Sequence, residues 1–393
     1  MEAFLDTISN LSRPVVIFGA SVIGKAVLDC LDILSISPAA FCDNDAIKWT
    51  QPFHGRRVIS YERLSSEYPD AVVIIAAERY FDEIRDQLAG SGFGDVFSYS
   101  EVIGCINVDQ VPRQKLGGIM WHLARMGSLS KRAPGELHVP RLNVVITTRC
   151  TLRCHDCSSL MPSYREPSDS EALGVIASVD RVLSAVDLIY HVEVLGGEPF
   201  LHPGVFAIAK HLSNTDKVLH VDVVTNGTVL PVEENLRSLA HERLSVVIDD
   251  YAGLSKKLAP LSEALARCGV NFRVNRHWAW ADLGGFQPRF RAERDLKKLF
   301  ARCNFNSCAE LLDGTLYHCP RSSHGTKTGL VPQFAEDVIP LADLPHDEVG
   351  GKAALRKFFL ETKYVRACDY CDGNSRDSLT LIPALQRPGE RTR

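Results

Sequence analysis

Cys150-Thr151-Leu152-Arg153-Cys154-His155-Asp156-Cys157 comes just after an apolar run, Leu142-Asn143-Val144-Val145-Ile146, and the fold turns on what this loop holds. Three cysteines at C-x₃-C-x₂-C spacing bring three thiolates onto one centre, and thiolates select soft metals and iron–sulfur clusters. A four-iron cluster ligated by three cysteines keeps one iron open to a ligand from outside the protein. A four-cysteine ferredoxin pattern closes that position; this spacing does not.

From the loop outward the chain alternates strands and helices. A strand over 142–147 ends at the cysteines, and a helix spans 169–184. A strand over 191–195 ends in Gly196-Gly197-Glu198-Pro199, and one over 219–224 ends in Thr225-Asn226-Gly227. Strands over 244–248 and 271–275 end in Asp249-Asp250-Tyr251 and Arg276-His277-Trp278-Ala279-Trp280, with helices over 204–211, 232–240 and 255–267 between the strands. These are five βα units, which predict a parallel sheet with its chemistry at the C-terminal strand ends. Glycines lacking Cβ let backbone approach a ligand closely, and Glu198 reads as an unpaired carboxylate able to bind an ammonium group. Asn226 and Asp249 occupy equivalent strand ends, where a plain turn residue is the competing reading. The cluster from Arg276 to Trp280 reads either as an aromatic wall for a radical or a sugar ring, or as a packed loop.

Cys150, Cys154 and Cys157 with Gly196-Gly197-Glu198-Pro199 resemble the radical S-adenosylmethionine (SAM) enzymes, over roughly residues 138–375. The resemblance implies a [4Fe-4S] cluster whose open iron is chelated by SAM. It implies that reductive cleavage, fed by a flavodoxin- or ferredoxin-type donor, gives a 5′-deoxyadenosyl radical that abstracts hydrogen from substrate. It places Gly196 to Glu198 on the SAM amino group, with Pro199 stiffening the turn, and Asn226 and Asp249 on its carboxylate, ribose or the substrate. The fold it implies is a partial (β/α)6 barrel. Asp156 departs from the aromatic or histidine often found before the third cysteine, a position that mainly offers backbone to the adenine.

A second cysteine group comprises Cys303, Cys308, Cys319, Cys368 and Cys371. Between them, Leu311-Leu312-Asp313-Gly314-Thr315-Leu316-Tyr317-His318 reads as a hairpin with an Asp-Gly turn, and a helical stretch over 352–361 precedes the C-x₂-C pair. A Cys₄ zinc ribbon is compatible with this spacing. The pattern resembles the twitch subdomain, a shortened SPASM domain, and implies Cys303, Cys319, Cys368 and Cys371 as ligands of an auxiliary [4Fe-4S] cluster. Cys308 then either replaces Cys303 or is a free thiol near the site. Arg321 suits a phosphate or carboxylate and His324 a base, with solvated loop residues as the alternative.

Residues 1–105 read as a separate βαβ domain, with strands over 14–18, 39–42, 71–76 and 95–99. The turn Gly19-Ala20-Ser21-Val22-Ile23-Gly24 resembles a Rossmann phosphate loop in which Ser21 replaces the middle glycine, and Asp43 stands about where a ribose-binding acid belongs. The readings are an architectural module, favoured here, or a nucleotide or nucleotide-sugar site. Residues 106–137 read as a linker with one helical stretch, 114–125. Residues 138–300 form the barrel, 301–375 the hairpin-plus-helix twitch, and 376–393 a fraying tail. The fold class is α/β throughout.

Composition bounds the function. The 393 residues are 45% hydrophobic and 23% charged, those of a globular chain of two or three domains. Net charge is −4 with pI near 6.4, which argues against nucleic acid as partner. No apolar run approaches a membrane span, and the acidic N-terminus has no signal-peptide layout. Twelve cysteines in such a chain point to metal ligands in reducing cytoplasm rather than disulfides. The leading expectation is oxidation or epimerisation of a small hydroxylated substrate: a sugar, aminocyclitol or sugar nucleotide. A peptide or protein maturase and a non-catalytic zinc- and nucleotide-binding protein are the alternatives.

Overall fold

The computed structural model describes residues 4, 7, 13–77, 80–107, 111, 119, 135–306, 308–375 and 377–387. The chain divides into two compact units, Met1–Ser128 and Leu129–Arg393. The helical stretch expected over 114–125 lies, apart from Ile119, outside the described residues.

In the first unit the elements are β1 (Val15–Phe18), α1 (Val22–Ile33), β2 (Ala40–Cys42), β3 (Val58–Ile59), α2 (Tyr61–Glu67), β4 (Val72–Ile75), α3 (Phe81–Gly90), β5 (Val96–Ser98) and α4 (Tyr99–Gly104). The strands are parallel in the order β3-β2-β1-β4-β5, which is the Rossmann order. All of β1 and β4 is buried, so both faces are covered and both strands are continuous apolar runs. The phosphate-loop candidate is bound to its own protein. Gly19 has φ +125°, and a Cβ there would lie 2.6 Å from the Ala76 carbonyl oxygen. Ser21 caps α1, its hydroxyl accepting from Gly24 N–H (3.2 Å) and donating to the Ala76 carbonyl (3.3 Å). Asp43 accepts from Ala20 N–H and from Lys48 Nζ, each at 2.9 Å, so its carboxylate already has partners within the unit.

The second unit begins with β6 (His138–Thr147), α5 (Ala172–Leu183), β7 (Leu188–Gly196), α6 (Val205–Ser213), β8 (Val218–Thr225), α7 (Glu233–Arg237), β9 (Leu244–Asp250), α8 (Leu258–Arg267) and β10 (Asn271–Arg276). There follow β11 (Trp280–Ala281), α9 (Glu293–Arg302), β12 (Ala309–Leu312), β13 (Thr315–Tyr317), α10 (Pro320–Lys327), β14 (Ile339–Pro340), α11 (Glu348–Arg356) and β15 (Thr380–Leu381). One eight-stranded sheet runs β10-β9-β8-β7-β6-β12-β13-β14. The five expected βα strands are adjacent, parallel and in sequence order. The sixth parallel strand is β12, and it adds beyond β6 instead of after β10. The hairpin expected in a separate C-terminal subdomain is therefore part of the main sheet, its Asp313-Gly314 turn having φ of 46° and 71°. All four β12 residues are buried, which is what pairing inside a sheet demands.

Alternation along the strands builds two unlike faces. Leu142, Val144 and Ile146, then Val192, Val194, Val221, Val223, Val246 and Ile248, join the apolar core with Val175 and Val179 of α5 and Ile208 of α6. Fully burying each such side chain contributes about 1.5–3 kcal/mol. The intervening positions are polar. The register sets Glu310, Asn143, Glu193, Asp222 and Ser245 side by side across five strands.

The tail read as fraying is not free over 377–387: β15 pairs with β11, and residues 385–387 bond to the cysteine loop. No helix among the described residues is long and apolar enough to cross a membrane.

Candidate functional site

The cysteine loop leaves β6 at Thr147, whose hydroxyl accepts from Arg149 N–H (3.0 Å) and donates to Asp169 (2.7 Å). Cys154 is buried and Cys150 and Cys157 are half-buried. Donors point at the sulfurs: Leu152 N–H (3.4 Å) and Asn226 Nδ2 (3.7 Å) at Cys150, and Gln386 Nε2 (3.3 Å) at Cys154. Burial pushes the Cys150 thiol up to about 12, and the Cys154 and Cys157 thiols also rise through burial. Ionising three such thiols needs a cationic centre among them, and N–H donors aimed at sulfur are what a thiolate-ligated cluster takes.

The glycine pair serves this loop. A Cβ on Gly196 would fall 2.2 Å from the Thr147 carbonyl oxygen, and one on Gly197 would fall 2.1 Å from that of Arg149 and 2.8 Å from the Cys150 Cβ. The close approach is by the cysteine loop itself. Glu198 also differs from expectation: it is fully buried, not unpaired. Its carboxylate accepts from the Thr225 hydroxyl (2.8 Å), Asn226 N–H (2.9 Å) and Phe200 N–H (3.1 Å), locking the β7 end to the β8 end. Burial raises its pKa to about 7 against those donors. Pro199 begins the short 3₁₀ turn that follows. Asn226 bridges to the loop through Thr151 (3.1 Å), and Asp249 pairs with His277 at 2.9 Å. His277 stacks on Tyr251 (5.2 Å), which meets Trp280 edge-on (5.6 Å), so these three rings pack as one cluster at the strand ends. Trp278 is instead 73% exposed, with Arg276 over its ring.

Cys303, Cys319, Cys368 and Cys371 come together at the start of α10, their mutual charges raising the Cys319 thiol further after burial. Cys319 is the N-cap residue and Pro320 fills the first helical position, where no N–H is required. Asn374 N–H reaches Cys303 Sγ (3.3 Å) and Gly373 N–H reaches Cys371 Sγ (3.2 Å). Arg321 stacks 3.7 Å over the Phe286 ring and donates to the Gly284 carbonyl (2.8 Å), so it buttresses the Cys371 side and not a solvated loop. A cavity of about 450 Å³ opens beside Cys303, lined also by Arg291, Lys298 and Arg302.

Cys308 is apart from that group. It is buried on the polar face of the sheet, accepting from Asn143 Nδ2 (3.4 Å), and burial holds it as a thiol with a pKa of about 12. His324 joins it there: Nδ1 lies 2.7 Å from the Tyr164 hydroxyl and Nε2 3.5 Å from Glu310, and burial lowers its pKa to about 3. Glu310, bonded by the Ser323 hydroxyl, is pushed by burial to about 7. Further along the face Arg141 pairs with Glu193, while Asp222 takes Arg273, His191 (2.7 Å) and His220 (3.1 Å). Burial opposes the Asp222 charge, but Arg273 and the histidines outweigh it and hold its pKa well below the usual range. Ligand atoms of His191, Glu193 and Asp222 fall within 4.8 Å of one another, yet Arg141 and Arg273 already neutralise both carboxylates. Glu310, Tyr164 and this whole row escaped the sequence reading. Its signal was present as His-x-Glu at 191–193 and His-x-Asp at 220–222, each with a strand period.

The C2185-like N-terminal domain family matches residues 11–94, inside the first unit. Over 121 residues the chain is 31% identical to GTP 3′,8-cyclase of Alkaliphilus oremlandii, covering 29% of this chain and 37% of that protein. Over 169 residues it is 36% identical to the AdoMet-dependent heme synthase of Methanosarcina barkeri, covering 38% and 46%. Over these stretches the chain is similar to radical SAM enzymes. It spans less than half the length of these curated relatives. The solved structure of BtrN with AdoMet and 2-DOIA aligns at a TM-score of 0.38 and 13% identity, over 63% of this chain and all of that one. Radical SAM relatives use a [4Fe-4S] cluster and SAM, and the thiols of this loop with their N–H donors fit such a cluster.

Proposed function

We propose that the chain is a radical SAM oxidoreductase acting on a small hydroxylated molecule: a sugar, aminocyclitol or sugar nucleotide. The observation that carries this reading is the polar face of the sheet, which lies beneath the cysteine loop. Asn143 sits four residues before Thr147 on β6, about 13 Å along the strand at 3.3 Å per residue. Charged and hydroxyl-bearing side chains across β12, β6, β7 and β8 suit a ligand rich in hydroxyl groups.

Cys150, Cys154 and Cys157 would hold the cluster, with Asn226 and the Gly196–Gly197 backbone against the loop that carries them. When bound, cluster and SAM supply the hydrogen-abstracting radical. Tyr251, His277 and Trp280 exclude water from that space. Glu310, poised near neutrality, accepts the proton of a substrate hydroxyl, with His324 and Tyr164 orienting it. Cys303, Cys319, Cys368 and Cys371 would hold an auxiliary cluster, which would supply an acceptor for the remaining electron, with Arg321 against Cys371. A flavodoxin- or ferredoxin-type protein supplies the first electron.

A second reading rests on Cys308. It is held as a neutral thiol on the polar face, away from the four cysteines, and so is suited to return a hydrogen atom to a substrate radical, giving an epimer. Incubation of reconstituted enzyme with candidate sugar nucleotides, scored by 5′-deoxyadenosine release, tests the substrate class; no release with any of them contradicts it. In deuterated water an epimerase takes one solvent deuterium into product and a dehydrogenase need not. A Cys308→Ala variant that turns over normally removes the epimerase reading.

A further inference from the structure

Residues 384–387 lie along the cysteine loop. Leu385 accepts from His155 N–H (2.6 Å), and Arg387 N–H donates to the Arg153 carbonyl (2.8 Å). Between them the Gln386 amide is fixed at both ends. Its oxygen accepts from Arg153 N–H (2.8 Å), which turns its nitrogen towards Cys154 Sγ (3.3 Å) and the Ala384 carbonyl (2.7 Å). Ala384, 1% exposed, holds φ +54°, a left-handed conformation that a non-glycine residue keeps only where its surroundings impose it. Arg387 adds a positive charge near Cys157. The segment is tied further back by β15, where Thr380 and Leu381 pair with Ala281 and Trp280.

We propose that this segment is a strap over the cluster site, and that Gln386 is a positioning residue that tunes the cluster through an N–H···S hydrogen bond to Cys154. The proposal rests on the family reading that the loop holds a cluster. Hydrogen bonds to ligand sulfurs are among the determinants of cluster potential. A donor on the sulfur stabilises the more negative, reduced cluster and so raises its potential. The strap also covers Cys154, which is 8% exposed. Removing the amide alone separates the hydrogen bond from the cover.

The test is a redox titration, followed by electron paramagnetic resonance, of the signal that changes on adding SAM. It is run on reconstituted full-length wild type, Gln386→Leu and Gln386→Glu. Gln386→Glu keeps the length and the acceptor for Arg153 N–H but loses the donor. The expected result is a lower midpoint potential in both variants, lower still in Gln386→Glu, at unchanged iron content. An unchanged potential at full iron content overturns the proposal. Loss of the cluster from both variants also overturns it, leaving a clamp without tuning. Absence of a SAM-responsive signal in wild type overturns the family reading itself, and the strap's role with it.

Discussion

Glu198 binds three donors from two strand ends, which makes it a strut. Glu198→Ala leaves the Thr225 hydroxyl and two backbone N–H groups unsatisfied, and each buried orphan costs about 1–3 kcal/mol. A urea melt should show that loss, while Glu198→Gln, which keeps acceptor oxygen, should lose less and still bind SAM. Glu310 makes a pH prediction. Its pKa rises from 4.5 unfolded to about 7 folded. Across that window the folded chain holds a proton that the unfolded chain releases, so stability falls as pH rises from about 4.5 to 7 and stays lowered above it. Glu310→Gln should flatten this dependence in thermal melts at fixed pH; an unchanged slope contradicts it. The cysteines were legible as residues because their spacing is itself chemical. Glu198 was misread because sequence shows a carboxylate beside glycines but not Thr225 and Asn226 arriving from the next strand.

At the scale of elements, Gly197 joins the cysteine loop to the end of β7. Gly197→Ala puts a methyl 2.1 Å from the Arg149 carbonyl oxygen, which backbone cannot yield cheaply. The expected outcome is loss of the loop's cluster with the auxiliary site kept, read as a fall from about eight irons per chain to about four. Strands β6 to β10 were legible because each apolar run ends in polar or glycine residues. The partner of β12 was not: a four-residue buried strand carries no mark of which edge it joins. β3 was too short to register as a strand. The tail was misread because its contacts, through Gln386 and the backbone of Leu385 and Arg387, need no apolar periodicity.

For the whole molecule, each unit has its own sheet, and both cysteine sets belong to the second unit. A fragment from Leu129 to Arg393 should therefore reconstitute the same iron content as the full chain; a fragment that takes up none contradicts this independence. The most direct measurement is anaerobic reconstitution followed by iron, sulfide and zinc analysis of wild type and a Cys150/Cys154/Cys157→Ala variant. About eight irons with matching sulfide in wild type, falling to about four in the variant, is the predicted result. Zinc without sulfide in wild type, or iron unchanged by the triple substitution, would contradict a radical SAM cluster at this loop.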